Sequence, residues 1–387
     1  MKKICLLTSE ESFLTNFGAA LQGYALYQTI TLEGYNVDIQ RYKGGEIGLS
    51  NISTPRIPNM VLYNPFELYL KILFRIGKFC NKKKVGIQYK RFKDFQDKHM
   101  SFYPGERKNW LTIKNDPPIA DIYVCGSDQI WNPMFKNGYN DRGYFLAFTE
   151  GTKIAYAPSF GVSDIPKTAQ KDLEELLASF DYISVREKDG AIIIKKYAHK
   201  EVPVVLDPTL LLTDDEWRKI QRLPRNIPKK YILCYRFGNS YSVDKEIKRI
   251  SKTTGLPIVE LPLSGISYFN LNRIRCFEAG PAEFIGLISR ASLVLTDSFH
   301  ATVFSIIMQT PFVTFLRSNN KKKSEGMNSR VTNLLNMLGL SNRIYRDNNA
   351  IADSDLFNID FSIAKKSLNT QRTISKEWLI SALRGNE

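Results

Sequence analysis

The sequence lacks the features that mark several common classes of protein. Its 387 residues contain no run of about 18 uncharged apolar residues, so no membrane-spanning helix is predicted. The basic N-terminus is followed by too short an apolar run for a secretory signal. Five cysteines are scattered without a CxxC pair, which argues against zinc and indicates reduced thiols in the cytoplasm. There are three histidines and no G-x-G-x-x-G dinucleotide fingerprint.

Positive charge is what the sequence has in excess. Lysine and arginine number 54 against 39 aspartate and glutamate residues, which gives a formal net charge of +15. Such a balance suits a nucleic acid, an anionic membrane surface or anionic small substrates. Because no RNA- or DNA-binding signature is present, we expect no nucleic-acid partner and favour lipid surfaces and phosphorylated substrates.

Strand-like and helix-like segments alternate along the chain in two series. The first covers residues 1–220 and the second covers residues 228–387, with a short Pro- and Arg-containing linker between them. This alternation predicts two Rossmann-like α/β domains whose polar carboxyl edges face a common cleft. We expect the last helix, near residues 362–384, to pack back on the first domain.

The stretch from Leu293 to Gln309 joins a predicted strand to a predicted helix. Residues 293–295 are apolar, polar residues 296–298 interrupt them, and apolar residues then recur at helical spacing. His300 therefore falls in the first helical turn at the carboxyl edge of a sheet, where ligands and anions bind. It either performs acid/base chemistry or simply caps and packs at the helix start. Asp297 lies at the same edge.

Polar residues also follow the strands of the first series. Asp128 comes directly after a buried strand, where it could hold a substrate hydroxyl, act as a base or cap a helix. We place its neighbours Gly126 and Ser127 in the cleft as well. Arg186 follows a later strand and could clamp a carboxylate or phosphate, although a structural salt bridge is the alternative.

The first predicted turn contains two further polar residues. A strand at residues 3–8, a helix and a strand at residues 37–42 make a βαβ opening. Asn16 and Gln22 flank the start of that helix. They either line the cleft or serve as a helix cap and a helix-surface residue.

Three segments stand apart from this pattern. Residues 44–59 are rich in Gly, Ser, Asn and Pro and are predicted to form a loop. Residues 60–98 are aromatic, apolar and basic at helical spacing, which suits either a membrane interface or a helical excursion packed on the domain. Residues 317–330 are basic and polar and are predicted to form a loop that closes over a ligand.

Five short motifs resemble those of one known enzyme family. In order and spacing they are similar to the polysaccharide pyruvyl transferases over nearly the whole chain. The motifs are Asn16-Phe-Gly-Ala-Ala-Leu-Gln22, Gly126-Ser-Asp-Gln-Ile-Trp131, Ile183-Ser-Val-Arg-Glu187, Val205-Leu-Asp-Pro-Thr-Leu210 and Thr296-Asp-Ser-Phe-His-Ala301. The resemblance implies a GT-B-like fold and transfer of a pyruvyl group from phosphoenolpyruvate to two sugar hydroxyls, as a cyclic ketal.

The same resemblance assigns roles to individual residues. It makes His300 the catalytic histidine, to which we add Asp128, and it makes Arg186 the donor-binding arginine. Many family members have an arginine two residues before that histidine, where this chain has Ser298. The missing charge near Ser298 would then come from Arg317, from residues 321–323 or from Arg330.

The chemistry of the reaction fits these residue types independently. Protonation of an enol carbon suits a histidine, and a donor with a carboxylate and a phosphate suits arginines and a helix N-terminus. We expect no cofactor and no metal, because phosphoenolpyruvate serves as a co-substrate.

The implied acceptor is a sugar of a cell-surface polysaccharide or of its lipid-linked precursor. Two other interpretations stay open: a GT-B-type glycosyltransferase that uses a nucleotide sugar, and a non-catalytic relative in a glycan assembly complex. We expect a cytoplasmic protein, which a lipid-linked acceptor would bring into peripheral contact with the anionic inner face of the membrane.

Overall fold

The fold was analysed in a computed structural model. The residues that it describes are 1–45, 65–238, 240–263, 267–270, 272–317, 321–346 and 351–385. They form two parallel sheets, each covered by helices, and the chain passes from one sheet to the other between Ile220 and Ile232. The predicted loop at 44–59 lies outside the described residues from position 46 onward.

The first sheet has the strand order β2-β1-β3-β4-β5, and every pairing is parallel. Its central strands are buried almost throughout, as expected for a parallel sheet with helices on both faces. The strands are β1 (Lys3–Leu7), β2 (Asn36–Ile39), β3 (Ile122–Asp128), β4 (Thr152–Pro158) and β5 (Tyr182–Ile183). The helices are α1 (Phe17–Leu32), α2 (Pro65–Cys80), α3 (Lys82–His99), α4 (Trp110–Asn115), α5 (Lys167–Ala178), α6 (Lys188–Ala198) and α7 (Asp214–Ile220).

The second sheet has the strand order β11-β10-β9-β6-β7-β8 and is also parallel. Its strands are β6 (Ile232–Tyr235), β7 (Ile258–Glu260), β8 (Ile274–Arg275), β9 (Leu293–Thr296), β10 (Phe312–Phe315) and β11 (Ile344–Tyr345). The helices that follow the linker are α8 (Tyr241–Thr254), α9 (Pro281–Arg290), α10 (Phe299–Ile307), α11 (Lys321–Met337) and α12 (Ser362–Arg384).

An apolar core runs from one domain into the other. Phe17 at the start of α1 stacks on Phe284 of α9, with ring centroids 4.7 Å apart, and lies 5.0 Å from Phe92 of α3. Tyr235 at the end of β6 meets the Phe17 ring edge-on at 5.7 Å. Because this interface is aromatic and buried, it holds the carboxyl edges of the two sheets in a fixed relation at the cleft.

The last helix packs on the first domain. Arg372 of α12 donates from Nε to the Leu210 carbonyl at 2.7 Å, and the Ser375 hydroxyl accepts from the Leu206 amide at 3.0 Å. Residues 65–99 form the two helices α2 and α3. No helix among the described residues has the length and apolar character needed to cross a bilayer.

The predicted loop at residues 317–330 is wrong, because α11 begins at Lys321. Lysine and methionine are good helix formers, and the segment contains one glycine and no proline, so polarity alone misled the prediction. Asn328 anchors this helix to the preceding strand: its side chain accepts from the Arg317 amide at 3.0 Å and donates to the Arg317 carbonyl at 2.9 Å.

Candidate active site

His300 lies where the two domains meet. It occupies the first turn of α10, whose N-cap is Ser298: the Ser298 hydroxyl accepts from the Ala301 amide at 3.4 Å. The imidazole packs on Gly18 in the first turn of α1, so closely that a Cβ at position 18 would lie 2.1 Å from Nδ1. Its Nε2 is 3.7 Å from Oδ2 of Asp207 in the first domain. The ring is thus held by residues of both domains, with 12% of the side chain exposed.

Asp207 is the buried carboxylate behind that ring. Its Oδ1 accepts from the amide and hydroxyl of Thr209 at 3.0 and 2.6 Å, which fixes the carboxylate at the start of a short 3-10 helix. Its Oδ2 accepts from Nη1 of Arg186 at 2.6 Å. Burial alone would raise the pKa of Asp207, but the His300 ring and the Arg186 charge outweigh it and hold that pKa well below its ordinary value.

Arg186 is surrounded by carboxylates. Besides Asp207, Nη2 lies 3.4 Å from Asp128 and Nε lies 3.7 Å from Glu187. The side chain is 2% exposed. Burial would lower its pKa, yet the charges of Asp207, Asp128 and Glu187 together raise it. The guanidinium also lies 5.3 Å from the centre of the Phe299 ring.

Arg330 of α11 faces the same ring, at 5.8 Å, but has a different environment. With the Gln129 amide oriented so that its oxygen faces the guanidinium, that oxygen accepts at 2.6 and 3.2 Å. Within the described part of the chain, no carboxylate lies within ion-pair distance of Arg330, and its buried Nε has no hydrogen-bond partner. Burial, followed by repulsion from Arg186, lowers the pKa of Arg330 to about 10.

His300, Asp128 and Arg330 border a cavity of about 560 Å³ between the two domains. Arg317 reaches it from the end of β10, where Nε donates to the Asp297 carbonyl at 3.1 Å and the guanidinium covers Phe237 at 4.5 Å. The lining residues that concern the chemistry are Asn16, Asp128, Gln129, Ser298, Phe299, His300, Arg317 and Arg330. A second cavity of about 480 Å³ lies against Phe299, Arg186, Asp207 and Arg330.

Comparison with known proteins identifies the family. Residues 16–319 match the family profile described as polysaccharide pyruvyl transferase. The chain belongs to the polysaccharide pyruvyl transferase family. The match includes strands of both sheets and the Asn16 and His300 motifs, which confirms the resemblance seen in the sequence. Among curated proteins, none matches the sequence.

Solved structures confirm the fold of this polysaccharide pyruvyl transferase family member. It is similar to the UDP-GlcNAc 2-epimerase of Methanocaldococcus jannaschii, with a TM-score of 0.50, 11% identity and coverage of 97% of this chain and 99% of the other. The S. aureus MnaA structure with UDP also gives a TM-score of 0.50 and 11% identity, with coverage of 99% and 96%. Two parallel α/β domains that face one cleft are the predicted GT-B-like arrangement.

Several predicted cleft residues of this family member hold the backbone in place beneath the cavity. Gln22 is fully buried: its amide donates to the Thr8 hydroxyl at 2.8 Å and accepts from the Ser127 amide at 3.2 Å. The Ser127 hydroxyl donates to the Ala157 carbonyl at 2.8 Å. Gly126 has φ of 139°, and a Cβ there would lie 2.0 Å from a carbonyl oxygen of β4. None of these three residues lines the cavity.

Three other predicted residues have structural partners at the cleft. Asn16 lines the cavity and caps α1, accepting from the Ala19 amide at 3.3 Å. Asp297 accepts from the Phe237 and Gly238 amides at 2.8 and 2.7 Å, so its carboxylate fixes the turn after β6. Ser298 is the N-cap of α10, a role that a short hydroxyl residue suits well.

Sequence reasoning missed Asp207, Phe299 and Gln129. Asp207 was within a recognised motif, and the Asp-Pro-Thr sequence signals a capping aspartate, but nothing local indicates that it faces His300 across the domains. Phe299 precedes the histidine and reads as an ordinary apolar helix residue. No cluster of three or more potential metal ligands occurs among the described residues.

Proposed function

We propose that this chain transfers a pyruvyl group from phosphoenolpyruvate to a sugar of a cell-surface polysaccharide or its lipid-linked precursor, forming a cyclic ketal. The observation that carries the proposal is the meeting of His300 with Arg317 and Arg330 around one interdomain cavity. Family membership supports the transferase activity. The donor and the ketal product are our inference from the charges and geometry of that cavity.

The donor would bind through the arginines of the second domain. Phosphoenolpyruvate carries a carboxylate and a phosphate, and a guanidinium can bind either with two parallel hydrogen bonds. Arg330 lacks a carboxylate partner among the described residues and faces the cavity. Arg317 lines the same cavity near the start of α10. Arg186, by contrast, is occupied by Asp207 and Asp128, so it positions those carboxylates rather than the donor.

The reaction requires a proton at carbon and the loss of phosphate. His300 would protonate the methylene carbon of the enol, and Asp207 would stabilise the positive charge of the imidazolium before the transfer. A sugar hydroxyl then attacks the cationic carbon and loses its proton to Asp128, which is 19% exposed at the cavity. The C–O bond to phosphate then breaks, a second hydroxyl attacks the same carbon, and the released phosphate takes the proton of that hydroxyl. The proton on Asp128 returns to His300 through solvent. In total one C–H and two C–O bonds form, and one C–O bond and two O–H bonds break.

A lipid-linked acceptor would bring the chain to a membrane, and α2 has a surface that suits this contact. Ile72, Ile76 and Phe79 recur at helical spacing and are exposed, Phe79 by 79%. Exposed lysines follow at residues 82–84. Such a surface binds anionic lipid at about 1 kcal/mol per basic residue. Replacing the three lysines by glutamine should weaken co-sedimentation with anionic vesicles; unchanged co-sedimentation would contradict the contact.

The decisive experiment measures donor consumption and product together. Purified protein is incubated with phosphoenolpyruvate and a panel of soluble glycans, and both phosphate release and the ketal are quantified, the latter by mass spectrometry. Parallel reactions contain nucleotide sugars instead. Phosphate release with ketal formation supports the proposal. Sugar transfer from a nucleotide sugar would identify a glycosyltransferase, and no turnover with either donor, repeated with lipid-linked glycans, would point to a non-catalytic relative.

A further inference from the structure

A third cavity, next to the aromatic contact between Phe17, Phe92 and Phe284, takes no part in this chemistry. It measures about 610 Å³ and lies between α3, the linker after α7 and the segment that follows β8. It shares no lining residue with the His300 cavity. The cavity is lined by Arg91 and Glu283, and the next residue after each is a phenylalanine, Phe92 or Phe284, that packs on Phe17.

The lining of this cavity is strongly basic. Five cations meet two carboxylates, Glu278 and Glu283, which leaves three positive charges in excess. The cations are Lys84, Arg91, Arg222, Arg225 and Arg275. Charge of one sign gathered in a concave site attracts ligands of the opposite sign and raises their local concentration.

The carboxylates cannot neutralise these cations. Glu283 is 1% exposed, and its Oε1 lies 2.5 Å from Nε of Arg222 and 3.5 Å from Nε of Arg91, so one carboxylate serves two guanidiniums. Arg275 donates to the Tyr268 carbonyl. Over the described ranges, neither Arg275 nor Arg225 has a carboxylate within ion-pair distance. The cavity therefore presents three arginines held by hydrogen bonds, Arg91, Arg222 and Arg275, beside an exposed Arg225, and their positive charge exceeds that of its carboxylates.

The surroundings of the cavity indicate where its ligand comes from. Phe277 in the lining packs against Tyr268 at 5.1 Å, and Tyr268 meets Phe74 of α2 edge-on at 5.4 Å. Gly77 of α2 packs on the same Tyr268 ring, since a Cβ there would lie 2.6 Å from it. The basic cavity and the helix with the exposed apolar surface are thus parts of one packed unit.

We infer that this cavity is a second anion site, which binds a diphosphate group. Three excess positive charges on five cationic side chains suit a dense, multiply charged anion better than a single carboxylate. Resting on the proposed function, the diphosphate would be that of a polyprenyl carrier linked to the acceptor, with its apolar chain along α2. A soluble nucleoside diphosphate has the same chemistry and is the other source to be tested.

The test measures binding of inorganic pyrophosphate by isothermal titration calorimetry. It uses the full chain with Arg330→Met, so that the His300 cavity contributes little to the signal. In this background Arg225→Gln with Arg275→Gln removes two charges that hold no ion pair, at the loss of the one hydrogen bond from Arg275 to the Tyr268 carbonyl. The matched control is Lys195→Gln with Lys196→Gln, which removes two exposed charges on α6. Thermal melts verify folding of every variant.

We expect the two arginine substitutions to raise the dissociation constant at least tenfold, because each removes charge-assisted hydrogen bonds. The α6 control should leave it within about twofold. Equal losses in both variants, or no pyrophosphate binding at all, would overturn the site. Tighter binding of vesicles that contain a polyprenyl diphosphate, or of UDP, than of pyrophosphate would identify the source of the diphosphate while supporting the site.

This outcome is separable from the proposed function. Pyruvyl transfer to a soluble glycan should continue in the variant with Arg225→Gln and Arg275→Gln alone, since the two cavities share no residue. Transfer that is absent from the wild type while pyrophosphate still binds would remove the proposed reaction and leave the anion site. Loss of transfer to a soluble glycan in the variant would show that the basic cavity of about 610 Å³ does not function separately from the His300 cavity.

Discussion

Two arginines face one phenylalanine ring, but Arg186 is paired with carboxylates of the fold and Arg330 is not. Arg186 and Arg330 lie 5.3 and 5.8 Å from the Phe299 ring, and both residues are buried. Arg186 has three carboxylates around it, which raise its pKa, whereas burial and Arg186 itself lower the pKa of Arg330. One charge is already satisfied within the fold, and the other is not.

This difference is why we propose Arg330, rather than Arg186, as the arginine that binds the donor. Arg186 was expected to bind the donor because it follows a strand and matches a family motif. The structure shows it bound to Asp207 at 2.6 Å, so its charge holds the carboxylate that faces His300. An unsatisfied buried cation is costly and is tolerated at sites that bind anions. Arg330 meets that description, and the sequence had already suggested it, beside Arg317 and residues 321–323, as a source of the charge missing at Ser298.

The largest expected effect comes from removing His300, the group that both sides of the cleft serve. His300→Ala should lower turnover by roughly 10²–10⁴-fold, which is the usual contribution of a general acid. The loss of stability should be smaller than for Arg186→Met, since the buried ring makes no hydrogen bond through Nε2 and lies 3.7 Å from Asp207. Steady-state phosphate release and a thermal melt measure the two quantities. Activity close to wild type would exclude His300 as the acid.

Arg186→Met should be the most destabilising of the five substitutions. It leaves Asp128, Glu187 and Asp207 without their common partner, and breaking a buried ion pair in this way costs about 3–5 kcal/mol. Urea denaturation monitored by tryptophan fluorescence gives the change in unfolding free energy. A variant as stable as the wild type would mean that the three carboxylates do not depend on this arginine.

Arg330→Met should differ from Arg186→Met in both properties: it should keep stability and weaken donor binding. Its removal deletes an unsatisfied buried charge, so the unfolding free energy should stay level or rise. Loss of a charge-assisted pair with the donor should raise the dissociation constant of phosphoenolpyruvate roughly 10–100-fold. Donor titration and urea denaturation are run beside Arg186→Met. A loss of stability equal to that of Arg186→Met would erase the distinction.

Asp207→Asn tests, through the pH dependence of stability, the contribution of the carboxylate that lies between Arg186 and His300. The folded-state pKa of Asp207 is depressed, so its carboxylate stabilises the fold above the ordinary aspartate value of about 3.9 and this contribution is lost as pH falls below it. The variant should lose about 2 kcal/mol at neutral pH, as a charge-assisted hydrogen bond to Arg186 is removed. The unfolding free energy of the variant should also fall less than that of the wild type as the pH is lowered below about 4. Parallel acid titrations of both proteins measure this.

The elements of the fold follow from sequence because their signals are local. Buried apolar runs mark β1, β3 and β9, and the polar turn after β9 correctly places His300 at the start of α10. The two-residue strands β8 and β11 escape, since they are too short to show a pattern. The start of α11 was missed because a polar, lysine-rich segment can be either loop or helix until its tertiary contacts are known.

The site is harder to predict because its geometry is made by residues far apart in the sequence. His300 faces Gly18 and Asp207, which belong to the other domain. The spacing of apolar residues along the chain predicts helices and strands, but it does not predict a contact between residues of different domains. The distinction between Arg186 and Arg330 likewise depends on which carboxylates surround each guanidinium, and that is decided by packing between elements rather than by neighbours along the chain.

The smallest expected effect belongs to Ser298→Arg, which introduces the arginine that the family resemblance led us to expect at this position. The change removes the N-cap of α10, which costs about 1 kcal/mol. It also adds a cation at a cavity that Arg317 and Arg330 already line, so donor affinity should stay level or weaken through repulsion. Ser298→Ala is the matched control, because it removes the cap without adding charge. Equal melting points for the two variants would assign the stability loss to the cap. A donor affinity tenfold tighter in Ser298→Arg than in Ser298→Ala would instead show that the cavity lacks an anion-binding charge, and Arg330 could not then be the group that supplies it.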